Sequence, residues 1–329
     1  MKRTSLPLRN RREFIRLVGG AAAWPLTAHA QQPAIGFLGT DSPHLRARRL
    51  RAFRNGLSEA GYEEGRNATI EFRWADGQYD RLASLAADLV QRRVSVIVAN
   101  GPAAVAAKAA TTTIPIVFVV GFDPIKLGLV ASLNRPGGNL TGVSLLNAEL
   151  APKRLAMLHE LVPSATIIAL LVNPANPNAE TLSQDTQAAA RTLGLKLHVL
   201  NASTERDFDA AFATLLQQRA GALVIGTDGF FVGQSERLAA LTVRHAMPAI
   251  FQSREFSAAD GLMSYAGSDT DANRLMGIYT ARILNGEKPA DLPVQQSTKV
   301  ELFINLKTAK ALGLTVPLIM QMTADEVIE

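Results

Sequence analysis

Short polar loops that follow apolar runs hold the residues in this sequence best suited to chemistry. After Ala34–Leu38 comes Gly39-Thr40-Asp41-Ser42, after Val94–Ala99 comes Asn100-Gly101-Pro102, and after Ile116–Val120 comes Gly121-Phe122-Asp123-Pro124. Farther along stand Asn173-Pro174-Ala175-Asn176, Gly226-Thr227-Asp228-Gly229 and Gln252-Ser253-Arg254, each again behind an apolar run. Hydroxyls, amides and the free N–H groups of a helix start suit a carboxylate. Asp123 and Asp228 suit an ammonium. Any one of these loops alone reads as an ordinary N-cap or turn. Six of the same character argue for a shared cleft. The candidate ligand-binding residues are Thr40, Ser42, Trp74, Asn100, Gly101, Phe122, Asp123, Asn173, Asp228 and Tyr265. Thr40, Ser42 and the helix opening after Gly101 face a carboxylate on this reading. Asp228, at a glycine-flanked loop tip outside the core, takes the ammonium, and Asn173 adds a polar contact. Asp123 competes for that role or caps the next helix. Trp74 closes an apolar run where its ring can stack on a ligand.

Signals for catalysis are poor. There is no GxGxxG, no P-loop lysine motif and no GxSxG. His44, His159, His198 and His245 are scattered, and the pairs Glu63-Glu64 and Asp325-Glu326 lie in turn-like or terminal contexts. The chain has no cysteine, which excludes thiol catalysis, iron–sulfur clusters and cysteine zinc sites. The expectation is a protein with no catalytic residue, no metal and no cofactor.

The first 30 residues read as an address. A basic segment with Arg11 and Arg12 precedes an apolar run from Leu17 to Ala28 that contains Gly19, Gly20 and Pro25. That run is about half the 20 or so residues a membrane span needs. It ends in Ala28-His29-Ala30, small residues at −3 and −1 of a cut before Gln31. Arg11-Arg12-Glu13-Phe14-Ile15 resembles the twin-arginine export pattern, which a receptor reads; the general secretory route is the alternative. The whole chain of 329 residues has 34 Lys+Arg and 29 Asp+Glu, and residues 1–30 hold six of the former and one of the latter. Removing them leaves 28 of each, so the basic excess belongs to the leader. A nucleic-acid partner needs a basic footprint on the folded domain, and none is expected.

Behind the leader, apolar runs of four to six residues alternate with amphipathic or alanine-rich stretches, the pattern of parallel strands covered on both faces. The spacing predicts helices over His44–Ala60, Tyr79–Arg92 and Pro102–Ala110, then a turn-rich break at Pro136–Gly142. The alternation restarts with helices near Glu149–Leu161, Ala179–Leu193, Glu205–Gln218 and Gln234–Arg244. Ten or so strands are many for one sheet. Two doubly wound α/β lobes fit better. A helix at Asp271–Leu284, then Val294–Gln296 and Lys299–Asn305 as a hairpin or crossing ribbon, return the chain between the lobes, and Thr308–Leu312 reads as the last helical turn. The expected lobes are residues 33–142 with about 268–297, and 143–267 with about 298–329, joined by a multi-segment hinge.

Several stretches carry a family resemblance. Leu38-Gly39 with its polar loop, "WADGQYDRL", "GPAAVAA", "GFDPIKLGLV", "NLTGVS", "LVNPANPNAE", "VIGTDGFF" and the closing "INLKTAKALGL" and "ADEVIE" resemble, in order and spacing, the ABC-transporter substrate-binding proteins related to tryptophan- and phenylalanine-binding lipoproteins. The resemblance covers Ala34 to Glu329. It implies the type I periplasmic binding fold with two Rossmann-like lobes, and no catalysis. It implies a small-molecule ligand, foremost an amino acid, held in the interlobe cleft and delivered to ABC permease membrane subunits by a soluble periplasmic monomer. The leader departs from the lipoproteins in having no lipobox cysteine. An enzyme on two Rossmann-like lobes, such as a glycosyl transferase, and a sensory ligand-binding protein without transport are the alternatives. A repressor core would need a DNA-binding head, and the residues upstream are an export signal instead.

Overall fold

The computed structural model describes residues 32–43 and 47–329. The export leader read at residues 1–30, and the start of the first helix at His44, lie outside them. Among the described residues no helix is long and apolar enough to cross a membrane.

The chain begins with β1 (Ala34–Gly39), α1 (Ala47–Glu59), β2 (Thr69–Trp74), α2 (Leu82–Gln91), β3 (Val96–Asn100), α3 (Pro102–Ala110), β4 (Ile116–Val120) and β5 (Leu140–Ser144). It continues with α4 (Ala151–Leu161), β6 (Ile167–Val172), α5 (Ala179–Thr192), β7 (Lys196–Asn201), α6 (Asp207–Gln217), β8 (Ala222–Ile225), α7 (Gly229–Gly233), α8 (Ser235–Arg244), β9 (Ala249–Phe251), α9 (Arg254–Ala258) and β10 (Met263–Gly267). The last part holds α10 (Asp269–Leu284), β11 (Gln295–Gln296), β12 (Val300–Asn305), α11 (Leu306–Ala311), α12 (Leu318–Thr323) and β13 (Glu326–Ile328).

Two sheets result. The first has the order β11-β5-β4-β3-β1-β2 with every pairing parallel. The second has the order β13-β12-β10-β9-β8-β6-β7 and is parallel except where β12 runs against β10. Strand residues alternate between two apolar layers, because successive side chains leave opposite faces of a sheet. In β6, Ile168, Leu170 and Val172 join one core cluster, while Ala169 and Leu171 join the one built on Phe208 and Phe212 of α6. In β1, Ile35 and Phe37 pack under α1 and α10 with Phe53 and Met276. Those two helices touch through glycines: a Cβ on Gly56 would lie 1.9 Å from Arg274 O, and one on Gly277 2.2 Å from Phe53 O.

Two expectations need correction, and a third is narrowed to one of its alternatives. The break read at Pro136–Gly142 runs into a buried strand, β5, that pairs with β4. Gly142 hid it: a Cβ there would lie 2.1 Å from Phe118 O, so a residue that reads as a turn is required by strand packing. Of the two readings of Val294–Gln296 and Lys299–Asn305, the crossing ribbon holds and the hairpin does not. β11 pairs with β5 in the first sheet and β12 with β10 in the second, so this stretch crosses between sheets. Thr308–Leu312 is also not the last element, since α12 and β13 follow it.

The chain passes between the sheets after β5, between β10 and α10, and between β11 and β12. These passages lie side by side. Ser297 N donates to Ser144 O at 2.8 Å, and Ser268 N donates to Lys299 O at 2.9 Å.

Candidate functional site

Parallel strands end together, so the loops beyond their carboxyl ends gather at one edge of each sheet. Here the two edges face one another across a cavity that spans about 610 Å³, part of it open to solvent. The first sheet contributes Thr40 after β1, Asn100 at the end of β3, Gly101 and Pro102 at the start of α3, Phe122 after β4 and Asn147 after β5. The second contributes Asn176 after β6, Thr227, Asp228 and Gly229 after β8, and Gln252 after β9. Arg49 from α1 and Asp269 and Asn273 from α10 complete the polar wall, and Val119, Leu145 and Val232 its apolar part. A smaller cavity adjoins, sharing Arg49, Gln252 and Asp269 and reaching Glu255 and Phe303.

The two edges are in contact. A Cβ on Gly229 would meet Thr40 Oγ1 at 2.7 Å, and one on Gly121 would meet Thr227 Cγ2 at 3.2 Å. Tyr79, in the 3-10 turn before α2, donates its hydroxyl to Asp228 Oδ2 at 2.9 Å. This is a closed arrangement.

The candidate residues divide. Thr40, Asn100, Gly101, Phe122 and Asp228 share the cavity wall, and Asn100 Nδ2 donates to Thr40 Oγ1 at 3.0 Å. Asn173 stands behind the wall and donates to Asp228 Oδ1 at 3.3 Å. Ser42, Trp74, Asp123 and Tyr265 lie elsewhere. Ser42 is half-buried in the loop beyond β1. Trp74 lies over Gly39 and stacks on Phe72, with centroids 5.8 Å apart and planes 8° apart, because its strand position points it to the α1 face. Asp123 Oδ1 accepts from Ile125 N at 2.8 Å and Lys126 N at 3.3 Å, so it caps a turn and not the helix expected after it. Tyr265 faces a groove beside Met157 of α4 and Met320 of α12.

Asp228 is not an exposed loop tip. It is 3% exposed and is the N-cap of α7, accepting from Phe231 N at 3.1 Å. Asn176 Nδ2 adds a bond to Oδ2 at 2.8 Å. With Tyr79 and Asn173, four donors occupy a carboxylate that offers about four lone-pair sites. Burial pushes its pKa above the ordinary aspartate value, and these hydrogen bonds pull it part of the way back.

Arg49 was missed in the sequence because it sits in an arginine-rich helix, Arg48-Arg49-Leu50-Arg51, that reads as a solvated face. It is 5% exposed. Its guanidinium bonds Asp269 at 2.6 Å and lies 3.7 Å from Glu255 and 3.9 Å from Asp41. Burial by itself lowers its pKa, but the three acids together raise it, so it is a permanent cation on the wall. Asn147 was missed because it follows the hidden strand β5. Its Oδ1 accepts from Gly267 N at 2.9 Å.

The cavity therefore presents amides, hydroxyls and both signs of charge beside one aromatic ring. Among the described residues no group of His, Cys, Asp and Glu is placed to hold a metal ion.

Comparison with known proteins agrees with this architecture. Residues 41–328 match the family described as ABC transporter substrate binding protein. A tyrosine-binding protein of Clostridioides difficile (strain R20291) is 28% identical over 267 residues, 80% of this chain and 76% of that protein. Among solved structures, a conserved domain protein from Vibrio cholerae O1 biovar eltor superposes with a TM-score of 0.84 at 25% identity, over 90% of this chain and 100% of that one. The ABC domain from Streptococcus pneumonia in complex with L-Trp gives 0.82 at 25% identity and the same coverage. The matched family is one of substrate-binding proteins. The chain belongs to the ABC transporter substrate binding protein family and has its two-lobed type I periplasmic binding fold.

Proposed function

We propose that this protein is the extracytoplasmic solute receptor of an ABC importer, that it captures an amino acid in the cavity between its sheets, and that it hands the ligand to a membrane permease. The observation that carries this reading is the wall itself. It sets the carboxylates of Asp228 and Asp269 and the cation of Arg49 around one small space. A free amino acid brings both charges, and burying either unpaired costs several kcal/mol. Phe122 and the aliphatic Val119, Leu145 and Val232 give its side chain an apolar surface. The tyrosine-binding relative and the L-Trp complex support an aromatic ligand.

Thr40, Asn100, Gly101 and Phe122 contact the ligand on this reading. Asp228 contributes mainly its charge, since its lone pairs are occupied. Asp269 accepts one described bond, from Arg49, and keeps capacity for the ammonium. The leader read in the sequence delivers the chain across the membrane, where such a receptor works.

Calorimetric titration with the common amino acids tests the reading. Saturable binding of tyrosine, tryptophan or phenylalanine, without turnover, is expected. Failure of every amino acid to bind, with a different small molecule found in native mass spectra of the purified protein, overturns it.

A further inference from the structure

Arg154 of α4 is fully buried, yet no described carboxylate lies within ion-pair distance of it, 4.0 Å. Arg49, the other buried arginine among the described residues, has three. Arg154 reaches neutral acceptors only. Nη1 donates to Tyr265 O at 3.0 Å, and Nη2 donates to Asn147 O at 2.6 Å and to Thr227 Oγ1 at 2.9 Å. Its Nε has no described partner. Burial pushes its pKa down to about 9, against a partial rise from Glu149 and Tyr265, so the charge persists at neutral pH. A buried cation without a counter-charge in ion-pair contact is costly, and the Glu149 charge repays that only in part.

The groups it holds lie on the cavity wall. Asn147 and Thr227 both line that space, and Thr227 Oγ1 also donates to Asn147 O at 3.1 Å. Asn147 is 4% exposed, and its amide is oriented by Gly267 N on Oδ1. Its Nδ2 makes no hydrogen bond with a described residue, and a Cβ on Gly121 of the same wall would lie 3.7 Å from it. The start of α3, at Gly101 and Pro102, lines the cavity too and presents the positive end of a nine-residue helix. A donor without a described hydrogen-bond partner therefore stands at the wall of the ligand space, with a fixed cation one layer behind it.

We propose that Arg154 is the counter-charge for the ligand's carboxylate, acting as a positioning residue through Asn147 and Thr227 without touching the ligand. This rests on the amino-acid reading above. It places the carboxylate at Asn147 and sets the ammonium toward Asp269.

The test compares L-tyrosine and L-tryptophan with their primary amides, L-tyrosinamide and L-tryptophanamide, which keep shape and ammonium but lose the carboxylate charge. Affinities come from calorimetry, with competition for the weaker binders. In Arg154→Gln the preference for acid over amide should fall about tenfold or more, the scale of one removed charge in a partly buried site. Arg154→Lys should restore most of that preference. A merely structural role would weaken acid and amide alike, and that result overturns the proposal, as does an unchanged preference. If Arg154→Gln does not fold, Asn147→Asp reads the same point from the wall. Its added negative charge should invert the preference, and parallel losses again overturn the proposal. A wild-type protein that binds no amino acid removes the functional reading and this inference together. Wild-type binding with an unmoved preference in the variants removes the inference alone.

Discussion

The hydroxyl of Tyr79 donates to Asp228 Oδ2 at 2.9 Å and accepts from Phe230 N at 3.0 Å, so one side chain of the first lobe caps two groups of the second. Burial pushes the Tyr79 pKa well above its ordinary value, and the Asp228 charge pushes it the same way. The phenol therefore stays a donor at any physiological pH. This bond spans the cleft, and it holds the lobes only while they are closed.

Tyr79→Phe should loosen closure and leave the lobes folded. The change takes one donor from Asp228 and the acceptor from Phe230 N–H. A buried polar group left without a partner costs roughly 1–3 kcal/mol. If the closed form bears that cost, ligand affinity drops between about fivefold and a hundredfold. Small-angle scattering should show a larger radius of gyration for the unliganded variant. An unchanged radius together with unchanged affinity would show that the bond does not govern closure.

Gly229→Ala tests the same contact sterically. The added methyl would stand 2.7 Å from Thr40 Oγ1 and 3.2 Å from the Tyr79 hydroxyl, both across the cleft. Neither lobe meets this clash when the lobes are apart. The melting temperature of the unliganded protein should move little, and affinity should fall by about tenfold or more, as overpacking costs about 1–3 kcal/mol. A large loss of melting temperature with intact affinity would instead place the strain inside one lobe.

Much of the cleft was legible because parallel sheets send their functional loops to one edge. Thr40, Asn100, Phe122 and Asp228 needed only the end of an apolar run to be found. Other parts were not legible for physical reasons. Trp74 also ends a strand, but the two-residue period of that strand turns its ring to the α1 face. Arg49 is buried only because Asp269, 220 residues away in sequence, returns to meet it. Arg154 follows Lys153 in a helix that reads as amphipathic, and its burial depends on strand β10 and on the loops after β5 and β8. Asp228 read as an exposed tip because its Tyr79 and Asn176 partners come from distant segments. Element type is written locally, but the pairing of buried charges is a tertiary property.

Acid should weaken the Arg49 link between lobes. Burial raises the pKa of Glu255, but the Arg49 charge and the Ser253 hydroxyl outweigh it and hold the carboxyl below its ordinary 4.5. A folded-state pKa below the unfolded one gives stability that is present above pH 4.5 and lost as pH falls through the lower value. Asp228 has the opposite sign: its raised pKa favours the fold as pH falls toward 3.8 and opposes it above. Glu255→Gln should therefore flatten the decline in stability below pH 4.5 and leave the Asp228 contribution visible. The Glu255 side chain is 41% exposed, so screening keeps the effect modest. Denaturant midpoints between about pH 3 and 6 read the difference, and superimposable wild-type and variant profiles would remove Glu255 from the link.

Trp74 should be silent to the ligand and sensitive to unfolding. It is the only tryptophan beyond residues 1–30, which hold Trp24. Its ring lies 5.3 Å from Phe37 and 5.8 Å from Phe72, in a core shared with α1 and α10. The cavity wall does not include it. A ligand in the cavity therefore cannot stack on the indole, and saturating phenylalanine, which adds no indole or phenol emission of its own, should leave the emission maximum in place. Denaturant should shift the maximum to the red, because the apolar surroundings that hold the ring belong to the fold of one lobe. Closure moves that lobe as a unit and leaves those neighbours unchanged. A ligand-induced shift in protein prepared without residues 1–30, and so without Trp24, would mean that closure repacks Phe37 and Phe72, and that the first lobe does not move as a rigid body.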